Sequence, residues 1–211
     1  IQDEDVRRLR ELTHIKLNLE MAGTEEMVGI ACRLKPEMAM LVPEGRQEIT
    51  TEGGLDVMEQ FESILNAIKK LKAHDIEVSL FIDPSNDAVD ASERLGAQWV
   101  ELHTGSYANL YAMRHSSLPH SHHAIESLRL TRSELDQRLE SAYSDIVDAA
   151  NHARSIGLKV AAGHGLNYQN VSHIVQIDTI EELNIGQSII ARSVFTGLSQ
   201  AVKDMKALCQ R

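Results

Sequence analysis

Glu20 lies in the run Asn18–Leu19–Glu20–Met21, a carboxylate among apolar neighbours. Burial there would raise its pKa and make it a base near neutrality; the alternative is a structural ion pair near a rim. Glu101 lies in Trp99–Val100–Glu101–Leu102–His103–Thr104–Gly105. Strand alternation sets Val100, Leu102 and Thr104 on one face and Glu101 and His103 on the other. An acid pointing into a closed sheet could stabilise a cationic intermediate; an interior salt bridge with Lys or Arg is the alternative. His164 stands between Gly163 and Gly165. The glycines permit unusual backbone shapes and close ligand approach, and histidine is the natural proton donor at neutral pH. A turn histidine without a role is the competing reading.

Two further segments suit ligand binding. Asn184–Ile185–Gly186–Gln187–Ser188 runs from an apolar strand into helical sequence, where a phosphate can reach backbone N–H groups past a glycine. The stretch Val42 to Gly54 is long for a strand-to-helix loop, with Arg46 and Thr50 as its candidate ligand contacts. His115, His120, His122 and His123 match no metal-ligand spacing, so an exposed insertion is expected there and no metal site.

These residues need elements to position them. Helical sequence is expected over 3–12, 24–34, 55–74, 87–95, 132–155, 168–177 and 188–210, the last broken near Gly197. Short apolar strands are expected over 15–21, 38–42, 78–82, 99–102, 158–162 and 183–185, with an irregular stretch over 106–130. Alternating strands and helices imply βαβ units and a parallel sheet, in an α/β fold. Glu20, Thr50, Glu101, His103, His164 and Gly186 all fall at or just past strand C-terminal ends. In a closed barrel those ends meet at one mouth, so a (β/α)8 TIM-type barrel fits better than an open sheet. The chain opens on a helix with no strand before it. About two strands and one helix are therefore expected upstream of Ile1.

Composition narrows the function classes. The apolar fraction is 43%, the charged fraction 25% and the formal net charge −10. Such an acidic surface argues against nucleic acid and anionic membranes as partners. Anionic substrates would have to be held by local donors such as helix N-termini. The two cysteines, Cys32 and Cys209, read as unremarkable thiols in a reducing compartment, and no secretory leader or membrane span is evident, so the cytoplasm is expected.

Several motifs coincide with one family. Asn18–Leu19–Glu20–Met21, Leu41–Val42–Pro43–Glu44, Thr50–Thr51–Glu52–Gly53–Gly54–Leu55–Asp56–Val57, Val78–Ser79–Leu80–Phe81–Ile82–Asp83, Glu101–Leu102–His103–Thr104–Gly105, Ala162–Gly163–His164–Gly165–Leu166 and Glu182–Leu183–Asn184–Ile185–Gly186 together resemble the pyridoxine 5′-phosphate synthase family. The resemblance implies a single (β/α)8 barrel domain with extra helices, assembled as an octamer. It implies condensation of 3-amino-2-oxopropyl phosphate with 1-deoxy-D-xylulose 5-phosphate to pyridoxine 5′-phosphate, phosphate and water. No metal or organic cofactor is expected. Glu20 then matches an acid/base glutamate, Glu101 a transition-state-stabilising glutamate and His164 a proton-donating histidine. Thr50, Gly165, Gly186 and Gln187 match ligand-binding positions, the last three near a phosphate.

The chain departs from the family's pattern in three respects. The family's first two strands, carrying an Asn-x-Asp-His motif, a further acid/base histidine and basic phosphate ligands, would lie before Ile1. Gln187 stands where the family commonly has histidine. The segment from about 107 to 132 looks like an insertion. The competing expectations are a catalytically inactive barrel or interaction fragment, and another phosphate-binding barrel lyase or isomerase. A Schiff-base aldolase would want a lysine at a strand C-terminal end, whereas Lys16 and Lys159 lie near strand starts.

Overall fold

Local chemistry sets most element boundaries in the computed structural model, which describes residues 1–43 and 53–210. Helix α1 (Asp3–Leu12) carries Asp3, Glu4 and Asp5 in its first turn, where negative charge opposes the helix dipole. Strand β1 (Asn18–Ala22) leads to α2 (Glu25–Leu34), whose cap is the Thr24 hydroxyl accepting from the Met27 N–H at 3.3 Å. Then follow β2 (Met38–Val42), α3 (Phe61–Lys72) and β3 (Glu77–Ile82). Helix α4 (Asn86–Leu95) is capped by Ser85 and stopped by Gly96 in the left-handed region, before β4 (Trp99–His103). Helix α5 (Gly105–His115) and two single 3-10 turns precede α6 (Arg132–Ser155). A reciprocal box between Thr131 and Glu134 starts α6. Strand β5 (Lys159–Gly163), α7 (Val171–Val175), β6 (Glu182–Asn184), α8 (Gln187–Thr196) and α9 (Leu198–Leu208) complete the order.

The strands form one six-stranded parallel sheet in the order β1-β2-β3-β4-β5-β6. Its outer face is the main core. Met21, Leu41, Val78, Leu80, Ile82, Val100, Leu102, Val160 and Ala162 are buried there against the helices. The opposite face carries Glu20, Met40, Ser79, Glu101 and Asn184, as the registers Glu20↔Met40, Phe81↔Glu101 and Gly163↔Asn184 require.

That second face is concave. Lys16, just before β1, and Lys159, on β5, both lie over the Trp99 ring, with Nζ 4.4 and 5.0 Å from its centroid. Both also reach Glu77, at 3.5 Å each. Side chains from strands so far apart in a flat sheet could not share one partner; the sheet curls.

Besides α7, which is confined to Val171–Val175 where helix is expected over 168–177, the structure departs from two expected elements. Helix α3 begins at Phe61, not near Leu55. The Gly54 N–H binds Asp83 and the Leu55 N–H binds the Phe81 carbonyl at 2.7 Å, so the chain stays extended along β3. Asp56 then accepts from the N–H groups of Met58 and Glu59, a turn that delays the helix. The second departure is α5, expected to be irregular. Its buried residues Gly105, Tyr107, Ala108, Leu110 and Met113 are spread around the helix, so no amphipathic stripe announces it.

Candidate active site

Glu101 is the most constrained acid of the concave face, 3% exposed on β4. One carboxylate oxygen accepts a short hydrogen bond from the Asn184 amide on β6. The other lies against Gly163, where an added Cβ would sit 2.2 Å from it. Glycine is therefore required on β5 to leave room for the carboxylate. Burial pushes the Glu101 carboxyl up to about 7; the Asn184 bond opposes the rise, and the charges of Glu20 and Glu182 add to it. Among the described residues no Lys or Arg pairs with it.

Two residues further along β4, on the same face, His103 is 7% exposed. Its Nδ1 lies 3.2 Å from Asp83 Oδ1, just past the end of β3. The Gly54 N–H donates to the same oxygen at 2.9 Å. The His103 contact holds the Asp83 carboxyl below its ordinary value, with the Gly54 bond helping against partial burial.

His164 follows β5 in a backbone conformation rare for a residue with a Cβ, at φ +76°, and Gly165 continues it at φ +86°. Buried Thr104 clamps this turn: its hydroxyl lies 2.7 Å from the carbonyls of both Gly163 and His164. Asn170 holds the far side, donating to the Gly165 carbonyl at 3.1 Å. The strained turn presents an exposed His164 imidazole beside His103, ring centroids 4.8 Å apart, with Phe81 flanking both. Partial burial first, and the facing His103 second, hold His164 below the ordinary histidine value.

His164, Gly165, Asn184, Gly186, Gln187 and Ser188 line a cleft of about 470 Å³. Gly186 is the N-cap of α8, so the first N–H groups of that helix face the cleft. A Cβ at Gly186 would meet no protein atom within 4 Å, which leaves open space for a ligand to approach the backbone. The Ser188 hydroxyl, donating to the Leu166 carbonyl at 3.0 Å, ties α8 to the β5 turn.

The residues singled out in the sequence thus gather at one end of the concave face, with one correction and one gap. Glu20 is exposed on β1, not buried as expected, and acts on Glu101 through its charge. Thr50 and Arg46, with the rest of 44–52, lie outside the described residues. Lys16 and Lys159 are at the opposite end, on Trp99 and Glu77, far from a Schiff-base position. Asp83 and Asn184 appeared in the sequence only as motif letters. Their roles needed the pairing of β3 with β4 and of β5 with β6.

The model of the pyridoxal phosphate biosynthesis protein PdxJ family matches residues 1–211. The chain belongs to the PdxJ family. Among its PdxJ relatives, the pyridoxine 5′-phosphate synthase of Sulfurovum sp. (strain NBC37-1) is 54% identical over 208 residues, covering 99% of this chain and 81% of that protein. The pyridoxine 5′-phosphate synthase of Aliarcobacter butzleri (strain RM4018) is 52% identical over 208 residues, covering 99% of this chain and 80% of its own length. Beyond PdxJ proteins, the fold is shared with the native KDPGal structure, 12% identical at a TM-score of 0.54, over 99% of this chain and 76% of that one. No described helix is long and apolar enough to cross a membrane.

Proposed function

We propose that the chain carries out the PdxJ-family ring closure, joining 3-amino-2-oxopropyl phosphate to 1-deoxy-D-xylulose 5-phosphate to give pyridoxine 5′-phosphate, phosphate and water. The observation that carries this reading is Glu101, a buried carboxylate among acids with an amide as its hydrogen-bond partner. Such a group is poised to meet positive charge that develops on a substrate. The reaction forms a Schiff base, expels water and phosphate and closes a ring, so cationic nitrogen arises within it.

In this reading Glu20 exchanges protons as acid and base. Glu101 stabilises the cationic transition state. His164 is the proton donor, and its lowered pKa makes the imidazolium, once formed, a stronger acid than an ordinary one. Gly165, Gly186 and Gln187 hold a phosphate at the α8 N-terminus, where Gln187 supplies a neutral hydrogen bond. Thr50 contributes a further substrate contact. The six curled strands are read as consecutive staves of a (β/α)8 barrel. The octamer and the cytoplasmic setting implied by the family resemblance belong to the same reading.

The test is an assay with the two phosphate substrates, following pyridoxine 5′-phosphate and released phosphate. Equal amounts of both products support the proposal. Phosphate release without pyridoxine 5′-phosphate, or no turnover, contradicts it.

A further inference from the structure

The Asp83–His103 pair is built with more steric care than a packing histidine requires. His103 Nδ1 faces the Asp83 carboxylate at 3.2 Å. An ionised carboxylate there selects the tautomer with the proton on Nδ1, leaving the Nε2 lone pair bare. That Nε2 is fully buried and has no hydrogen-bond partner among the described residues. Three glycines shape the site. A Cβ at Gly105 would lie 2.5 Å from His103 Nε2 and 3.3 Å from the His164 ring, one at Gly53 would lie 2.7 Å from Asp83 Oδ2, and one at Gly54 would strike the β3 backbone at 2.3 Å. The His103 ring edge meets His164 at a centroid distance of 4.8 Å and an interplanar angle of 66°.

We propose that His103, anchored by Asp83, is a positioning residue that fixes the ring pose of His164 at the mouth of the α8 cleft. Nε2 is closed off from solvent, so a substrate does not touch it; the pair acts through His164. The arrangement follows the logic by which a carboxylate fixes the tautomer of a histidine in hydrolase triads, extended here to a second imidazole. The charged or titratable group facing His103 is Asp83 from the β3 end, and the one facing His164 is His103 itself; the acids Glu20 and Glu182 act on Glu101. The inference rests on the proton-donor reading of His164.

Two variants and one spectrum test it in the purified protein. Asp83→Asn is conservative at a largely exposed side chain, and circular dichroism checks that its fold is retained. Asp83→Asn and His103→Gln are each expected to lower kcat on the order of tenfold or more, with KM within about threefold. His103→Gln should also raise the pKa of His164 by removing the facing imidazole, while the burial that lowers it most stays in place. Long-range 1H–15N spectra of the wild type should show His103 protonated at Nδ1, changing in Asp83→Asn. A kcat within twofold of wild type in both variants overturns the inference. If the wild type has no synthase turnover, the functional reading fails separately, and the spectrum decides alone: His103 protonated at Nε2 in the wild type overturns the pairing.

Discussion

At the N-terminal end of the concave face, Glu77 has Lys16 and Lys159 each at 3.5 Å and the Trp99 N–H at 3.2 Å. Burial works against its charge, but the Trp99 bond and the two lysines overcome it and hold the carboxyl below its ordinary value. At the C-terminal end of the same face, Glu101 is buried with an amide and two neighbouring acids, and its pKa rises to about 7. The face and the residue type are the same, on adjacent strands β3 and β4; burial and partners differ. One end uses its charges for cohesion, while the other holds a buried carboxylate with no Lys or Arg beside it among the described residues.

Replacing Glu101 breaks this comparison most severely. Glu101→Gln should lower turnover by about a hundredfold or more, measured by pyridoxine 5′-phosphate formation. Its effect on stability has the opposite sign. The folded pKa lies above the unfolded value, so the folded state binds the proton more tightly than the unfolded state. The stability this group contributes is fully present below pH 4.5 and is lost as pH rises through about 7. The rise from 4.5 to about 7 corresponds to roughly 3 kcal/mol. Denaturant melts should therefore find Glu101→Gln more stable than wild type at pH 8, with the difference shrinking towards pH 4.

The outer face gives the next largest effect and separates cohesion from chemistry. Leu80 is 0% exposed on β3. Leu80→Ala should cost about 2–5 kcal/mol in urea unfolding, while the folded fraction keeps its kcat. Gly163→Ala joins the two regions, because its Cβ intrudes on the Glu101 carboxylate. It should cost about 1–3 kcal/mol and lower turnover as well. Lys159→Met gives the smallest effect, since the ion pair is about half exposed and Lys16 remains. Stability should fall by under about 1 kcal/mol and turnover should stay unchanged.

The sequence made the scaffold legible where local signals were strong. The clearest case is 132–155, expected as a helix and observed as one from Arg132 to Ser155. The alternation of Glu101 and His103 with Val100 and Leu102 correctly separated the concave face from the core. Helix α5 was hidden because it is buried on several sides and lacks an apolar stripe. The late start of α3 was hidden because it depends on the Gly54–Asp83 bond, a contact across 29 residues. At the site, the histidine and glutamates drew attention by type. Asn184 and Asp83 did not, since their significance lies in which carboxylate or imidazole they face, and strand pairing decides that. Glu20 is exposed on β1, which its apolar neighbours in the sequence did not suggest.

The C-terminal end of the concave face keeps a buried carboxylate with no Lys or Arg partner among the described residues. The most direct test is a 13C NMR titration of the Glu101 carboxyl, assigned by comparison with Glu101→Gln. The expected midpoint lies near 7, above the unfolded value of 4.5. A midpoint at or below 4.5 would mean that Glu101 is compensated as Glu77 is, and would contradict this expectation.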